Sequence, residues 1–390
     1  MTVAGPDVGP RAPTGRLAAA ALFTVFGVAQ GSWAGRIPWV QDNLDLSAGA
    51  LGLALLGPAA GALLFMPIVG QLVHRFGVRA IAVTGVLGVG VAVALPAYAP
   101  SLWALLGALV LLGAAGGILD IAVNAYGVDV ERRYGRPIMS GLHGMWSVGG
   151  LIGSAGAGFV AHAGIPATTH LAVVGAAVAV IGAAIAMRMR ATAVTADRGP
   201  TFALPSRSVL LIAVVGFCAL FTEAAIGDWG AVFLTDVRDS GPGLAATAYS
   251  AFSICMAIGR LAGDRMVARF GPSGLVRVAA TVGVAGLLVA VIVPHPAAAL
   301  AGFGLLGLGI ATVVPLTFSA AGNRGEDSGQ GQAATSIAAV ATVSYLGWLA
   351  GPSAVGGIAQ VTSLPVALAV AAALLAVVAV LAKSLDPRRG

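Results

Sequence analysis

The stretch "GGILDIAVNAYGVDVERR", residues 116–133, sets Asp120 at the end of an apolar run that begins near Leu102, with Asn124 four residues on. In water the pair would need no explanation. At a helix centre in a bilayer an ionised carboxylate costs about 3 kcal/mol, so the stretch can be read only once the solvent is known. Around it, the chain of 390 residues is 58% hydrophobic and 9% charged, with a mean hydropathy of +0.95. Soluble domains carry about 25% charged residues, so the solvent is lipid. The 56 glycines agree, because small residues let membrane helices approach where no hydrophobic force drives them together.

A net charge of +6 does not point to nucleic acid here. The basic residues are scattered between apolar segments instead of clustering on one surface, which is where they orient a chain in a membrane. Cys218 and Cys255 lie in apolar runs without metal-ligand spacing, and none of the five histidines forms an H-x-x-x-H pair. No metal and no cofactor is expected. GxSxG, HExxH and a phosphate-binding glycine loop are all absent from the sequence, so the chain does not read as an enzyme. The N-terminal "MTVAGPDVGPRAPTGRLAAAALF" has no obvious cleavage site, and its apolar run continues too long for a signal-peptide core. It reads as a tail plus a first span.

A span needs about 20 mostly apolar residues. Twelve candidates run at 17–38, 50–70, 79–97, 102–125, 142–162 and 168–187, then 208–234, 244–268, 273–293, 298–319, 333–358 and 364–383. The expected architecture is all-α. A cytoplasmic tail (1–16) precedes a six-helix half (17–187), a cytoplasmic linker (188–207), a second six-helix half (208–383) and a short tail (384–390). With the N-terminus inside, 19 of the 21 Lys and Arg residues fall on the cytoplasmic side, and only Arg36 and Arg238 lie near the outer face. Both termini are therefore expected in the cytoplasm, in an inner-membrane protein.

The halves echo each other. "HRFG" at Arg75 recurs as "ARFG" at Arg269, 194 residues on, and "GSW" at Trp33 recurs as "GDW" at Trp229, 196 residues on. Such an offset, half the chain, is what two parallel membrane repeats produce, and their interface is where a substrate site is expected.

On these features the chain resembles the major facilitator superfamily. "GQLVHRFGVR" from Gly70 is similar to the family's loop between spans 2 and 3, with Gly70, Arg75, Gly77 and Arg79 matching and His74 standing where that motif has Asp. "GRLAGDRMVARFG" supplies the second-half counterpart through Gly259, Arg260, Asp264, Arg269 and Gly271. The resemblance implies gating roles for Arg75, Arg260, Asp264 and Arg269. More closely, "GSWAGRIPWVQDNL", "LDIAVNAYGVDVE", "MSGLHGMWSVGGLIG", "FTEAAIGDWGAVFL" and "TVSYLGWLAGPSAVG" look like the MosC/YbjJ-type branch. "LDIAVNAYG" is distantly similar to span 4 of proton-coupled fucose permeases. That likeness implies a proton-coupling role for Asp120, with Asn124 beside it. The span-1 acid of those permeases is replaced here by Ala34.

The ionisable residues carry two readings each. Asp120 and Asn124 share a helix face. Asp120 is either a carboxylate in a water-filled cavity, able to load and unload protons, or a buried acid paired with a neighbouring helix, or an acid low enough to reach cytoplasmic water. Glu223 and Asp228 are five residues apart, about 140° round a helix, and need not face one cavity. Glu223 is the second candidate for proton coupling or substrate binding. Asp228 is either a ligand group or an interfacial acid. Arg36 is either a gate or structural residue that snorkels to the interface, or a group that binds an anionic or hydroxylated ligand through its planar fork. Gln30 and Trp33, with Asn124, Asp228 and Trp229, make up the candidate substrate-binding set, and His143 reads as structural or pH-sensing. The whole predicts a proton-coupled carrier of a small polar solute such as a sugar, cyclitol or amino-cyclitol. The alternative is a proton-driven exporter of drugs or secondary metabolites. The expected partners are the substrate, protons and the lipid bilayer, with no nucleic acid, and a monomer is expected to suffice.

Overall fold

The computed structural model describes residues 12–134, 138–189, 209–326 and 332–386, and all regular structure among them is helical. In chain order the helices are α1 (Ala12–Ala34), α2 (Ile37–Asn43), α3 (Ala48–Ala54), α4 (Gly57–Ala92), α5 (Leu102–Tyr134), α6 (Met139–His162) and α7 (Ala167–Met187). The second half has α8 (Leu210–Arg238), α9 (Pro242–Ala245), α10 (Ala248–Phe270), α11 (Pro272–Ile292), α12 (Pro296–Ile310), α13 (Val313–Glu326), α14 (Gln332–Val361) and α15 (Leu364–Leu381). Helices are the only open-ended element whose backbone groups are all satisfied within the segment, which hydrocarbon requires. Among the described residues, eleven segments are long and apolar enough to cross a membrane. The thirty-residue α14, packed along α8, supplies the twelfth. Leu17, Val91, Trp103, Phe159, Val180 and Val380 are exposed on the outside of the bundle, a surface that suits lipid and not water.

The packing repeats as the sequence does. In the first half α1 lies on α6, α4 on α5, and α7 on α1 and α4; in the second, α8 lies on α14, α10 and α11 on α12, and α15 on α8 and α11. Glycine makes the closest of these contacts possible. A Cβ on Gly27 would overlap the Trp146 carbonyl, and one on Gly31 the Gly150 carbonyl; in the other half, Gly347 meets the Phe217 carbonyl. Spans 1 and 5, and likewise 7 and 11, therefore touch backbone to backbone.

The "RFG" repeat is the same turn built twice. Gly77 has φ 81°, ψ 154° and Gly271 has φ 71°, ψ 164°. That region of backbone space is open essentially only to glycine. In each copy the preceding arginine lies over its own phenylalanine, Arg75 over Phe76 at 5.3 Å and Arg269 over Phe270 at 5.5 Å. No atom would crowd a Cβ at Gly77, so Gly77→Ala tests the backbone alone. Thermal unfolding in detergent is expected to show a loss of about 1–3 kcal/mol. Gly107→Ala, on a helix with equally open surroundings, is expected to be neutral or slightly stabilising.

The halves join at the end of the bundle away from the termini. There Gly49 N donates to Gln360 Oε1 (3.0 Å) and Gln41 Nε2 to Asp236 Oδ2 (3.4 Å), and Gly158 packs on Gly243. Deeper in, the buried hydroxyls of Ser154 on α6 and Ser250 on α10 are 2.6 Å apart. The two crossings, α6 on α10 and α3 on α14, are equivalent under the repeat.

Candidate functional site

Between the halves lies a cavity of about 640 Å³, walled by α1, α4, α5 and α6 from one half and α8, α10, α13 and α14 from the other. It contains six polar side chains: Gln30, Asp120, Asn124, His143, Glu223 and Arg260. Around them stand Phe23, Phe26, Trp146, Phe318, Tyr345 and Trp348. A few convergent polar groups in an aromatic wall, at this volume, are the ordinary build of a small-molecule site.

Asp120 reaches the cavity because α5 carries Gly113, Gly116 and Gly117 on the turns before it, and these too line the wall. Asn124, one turn later, donates its amide to Asp120 Oδ1 (3.0 Å) and to the Asp120 carbonyl (2.9 Å). The amide fixes the carboxylate's direction without supplying charge. Among the described residues no cation pairs with Asp120. Glu223, on α8, faces Arg260 of α10, Oε1 to NH2 3.7 Å. His143, in the first turns of α6, sets its ring edge-on to Phe23 at 5.1 Å between centroids. Among the described residues no group of three His, Cys, Asp or Glu side chains gathers as a metal would need.

Of the residues singled out in the sequence, the structure brings Gln30, Asp120, Asn124, Glu223 and Arg260 together. Arg260, expected at a gate, lies in the cavity wall because it sits on α10 well before the helix reaches its loop at Gly271. Trp33, Asp228 and Trp229 do not line the cavity. Trp33 is buried, and Trp229 is fully buried with Nε1 donating to the Pro352 carbonyl at 2.8 Å. It thereby ties α8 to α14 at the proline. Asp228, five residues after Glu223 on α8, stays out of the cavity lining but lies, like Glu223, near Tyr249 of α10. Arg36 is buried and bound within its own half, Nε to His170 Nδ1 (3.2 Å) and NH2 to the Ile165 carbonyl (3.1 Å). It braces the break between α1 and α2 against the start of α7. Arg75 and Arg269 are exposed, and the side chain of Asp264 lies outside the described residues. At the end of α5, Glu131 Oε2 accepts from the backbone N–H of Ile138 (2.6 Å) and Met139 (3.0 Å), so it caps α6.

His143 had a structural reading available and sits in the wall. Phe23, Phe26, Phe318, Tyr345 and Trp348 carry no signal strong enough to single them out, since an aromatic in an apolar run reads equally as core. Only the i, i+3 spacing of Tyr345 and Trp348 hints at a shared face.

A twelve-span helical bundle with a polar-and-aromatic cavity between two repeated halves has the build of a membrane carrier. The sequence profile of the Major Facilitator Superfamily matches residues 18–352, and the chain belongs to that family. It is 36% identical over 365 residues to an uncharacterized MFS-type transporter of Yersinia pestis, covering 93% of each chain. With the membrane protein MosC of Rhizobium meliloti it shares 30% identity over 347 residues, 89% of this chain and 84% of that one. Two solved folds are similar. The nucleoside transporter NupG has a TM-score of 0.73 at 14% identity, covering 96% of this chain and all of that one. A single-residue variant of the E. coli fucose:proton symporter FucP has 0.57 at 17%, covering 95% and 98%.

Proposed function

We propose that this chain is a proton-coupled secondary transporter that moves a small polar solute, a sugar, cyclitol or amino-cyclitol, by alternating access. It works as a monomer in the inner membrane with both termini in the cytoplasm. Residues 17–187 and 208–383 are the two halves that rock, joined by the linker 188–207. One observation carries the reading: Asp120, a carboxylate that pairs with no cation among the described residues, shares an inter-half cavity with two amides and a ring of aromatic side chains. The amides supply directional hydrogen bonds for hydroxyl groups. Aromatic rings offer flat faces for the apolar side of a ring-shaped solute. Because the halves join at the end away from the termini, the cavity is reached from the cytoplasm in this conformation. That one fold relative is a nucleoside transporter and another a fucose:proton symporter is consistent with such cargo.

The exporter reading draws on the same lone Asp120, which with the aromatic wall would also hold a lipophilic cation. Solute counterflow in proteoliposomes separates the two. Vesicles preloaded with glucose, myo-inositol, glucosamine or tetraphenylphosphonium are given the same labelled compound outside. Counterflow of a polyhydroxylated member is expected. Counterflow of tetraphenylphosphonium alone would replace the sugar reading with the exporter one.

A further inference from the structure

Arg260 is the one lysine or arginine among the residues lining the cavity. Its nearest acid, Glu223, is 3.7 Å away, beyond hydrogen-bond length, and among the described residues the guanidinium makes no hydrogen bond. Both side chains are mostly buried, at 16% and 18% exposure. A guanidinium holds five N–H donors in a fixed fork that matches two adjacent oxygens. Here that fork is mostly buried, loosely countered, and part of the wall of a space large enough for a solute. Arg36, by contrast, already donates two hydrogen bonds, to His170 and to the Ile165 carbonyl. The empty donors of Arg260 are what a ligand would fill.

Resting on the reading of this cavity as the solute site, we propose that Arg260 binds the solute through two adjacent oxygens, a carboxylate or a vicinal diol, and is released for this when Glu223 takes up a proton. Protonation turns the Glu223 carboxylate into a neutral acid, the attraction that holds Arg260 lapses, and the fork swings to the solute. Solute binding thus tightens as pH falls. Other titratable groups stand near the pair: His143 on α6 and Tyr249 on α10 act on it directly, Asp228 on α8 lies by Tyr249, and Asp120 and Tyr345 line the same cavity. A protonated His143 would also push on Arg260, so a variant must separate His143 from Glu223.

Arginine-directed dicarbonyl labelling, read by peptide mass spectrometry on the full-length protein in detergent, makes the test. The exposed Arg75 and Arg269 correct for the reagent's own pH dependence. In wild type, labelling of Arg260 relative to Arg75 is expected to rise as pH is lowered. In Glu223→Gln it should be several-fold faster than wild type at pH 8 and flat with pH. Glucuronate, glucose and myo-inositol are then added as protectants. Protection by glucuronate alone assigns a carboxylate; protection by the neutral polyols as well assigns a diol. For a protecting solute, Arg260→Ala is expected to weaken binding, followed by cavity tryptophan fluorescence, roughly 30-fold, the worth of hydrogen bonds to a charged group. Three results would each overturn the proposal: no protection by any of the three, a pH dependence that survives in Glu223→Gln, or Arg260→Ala binding as wild type does. A protein that passes while its solute moves no protons in vesicles keeps the Arg260 site and loses the proton-coupling reading instead.

Discussion

Asp120→Asn is expected to leave solute counterflow within a few-fold of wild type while reducing accumulation driven by a pH gradient to background. The substitution is nearly isosteric, and Asn124 can still hydrogen-bond the side-chain oxygen at residue 120, so the cavity keeps its shape. What disappears is the ability to carry a charge, and with it the step that ties reorientation to a proton. An ionised carboxylate facing a cavity costs several kcal/mol to carry through a closed, dehydrated state. A protonated one does not. On the proposed mechanism the wild-type protein rocks freely only when the acid is loaded or compensated, whereas the asparagine variant rocks in either condition. Exchange without accumulation is the expected signature. If accumulation survives in the variant, Asp120 is a structural acid and Glu223 becomes the coupling group to examine.

The second large effect is on folding. Gly27→Ala places a methyl group onto the Trp146 carbonyl, and Gly31→Ala places one onto the Gly150 carbonyl one turn further along α1. Neither obstacle is a flexible side chain, so α1 and α6 must separate. Overpacking of a tight interface costs about 1–3 kcal/mol per site, and close helix packing is a main source of cohesion between helices in lipid. The double variant Gly27→Ala/Gly31→Ala is expected to yield little monodisperse protein on size-exclusion chromatography in detergent. Gly156→Ala, on α6 but with nothing within 4 Å of its Cβ, should elute as wild type does. Trp146 also lines the cavity, so a single variant that still folds should bind solute more weakly because its wall has moved.

The difference between what the residues disclose and what they hide follows from the solvent. In lipid, a span is marked by a long apolar run and a charge inside it is conspicuous, so the helix count, the repeat and the acids Asp120 and Glu223 are legible. The turn shared by Gly77 and Gly271 is visible as "RFG" twice. Helix faces are not legible, because an Ala/Gly-rich surface has little periodicity to read. That is why Trp33 and Trp229, equally visible as repeats, read as ligand groups although both are buried between helices. It is also why Arg260 reads as part of a loop motif and not of the cavity. Gln30 and Asn124, polar in apolar surroundings, stand out because their chemistry, not their periodicity, sets them apart.

The most direct measurement uses wild-type protein in vesicles that hold a pH-sensitive dye, with no gradient imposed, and adds a solute already shown to undergo counterflow. Proton-coupled movement through the cavity is expected to shift the lumenal pH when that solute is added, in protein-containing vesicles only. Entry of the solute with no change in lumenal pH would contradict the account.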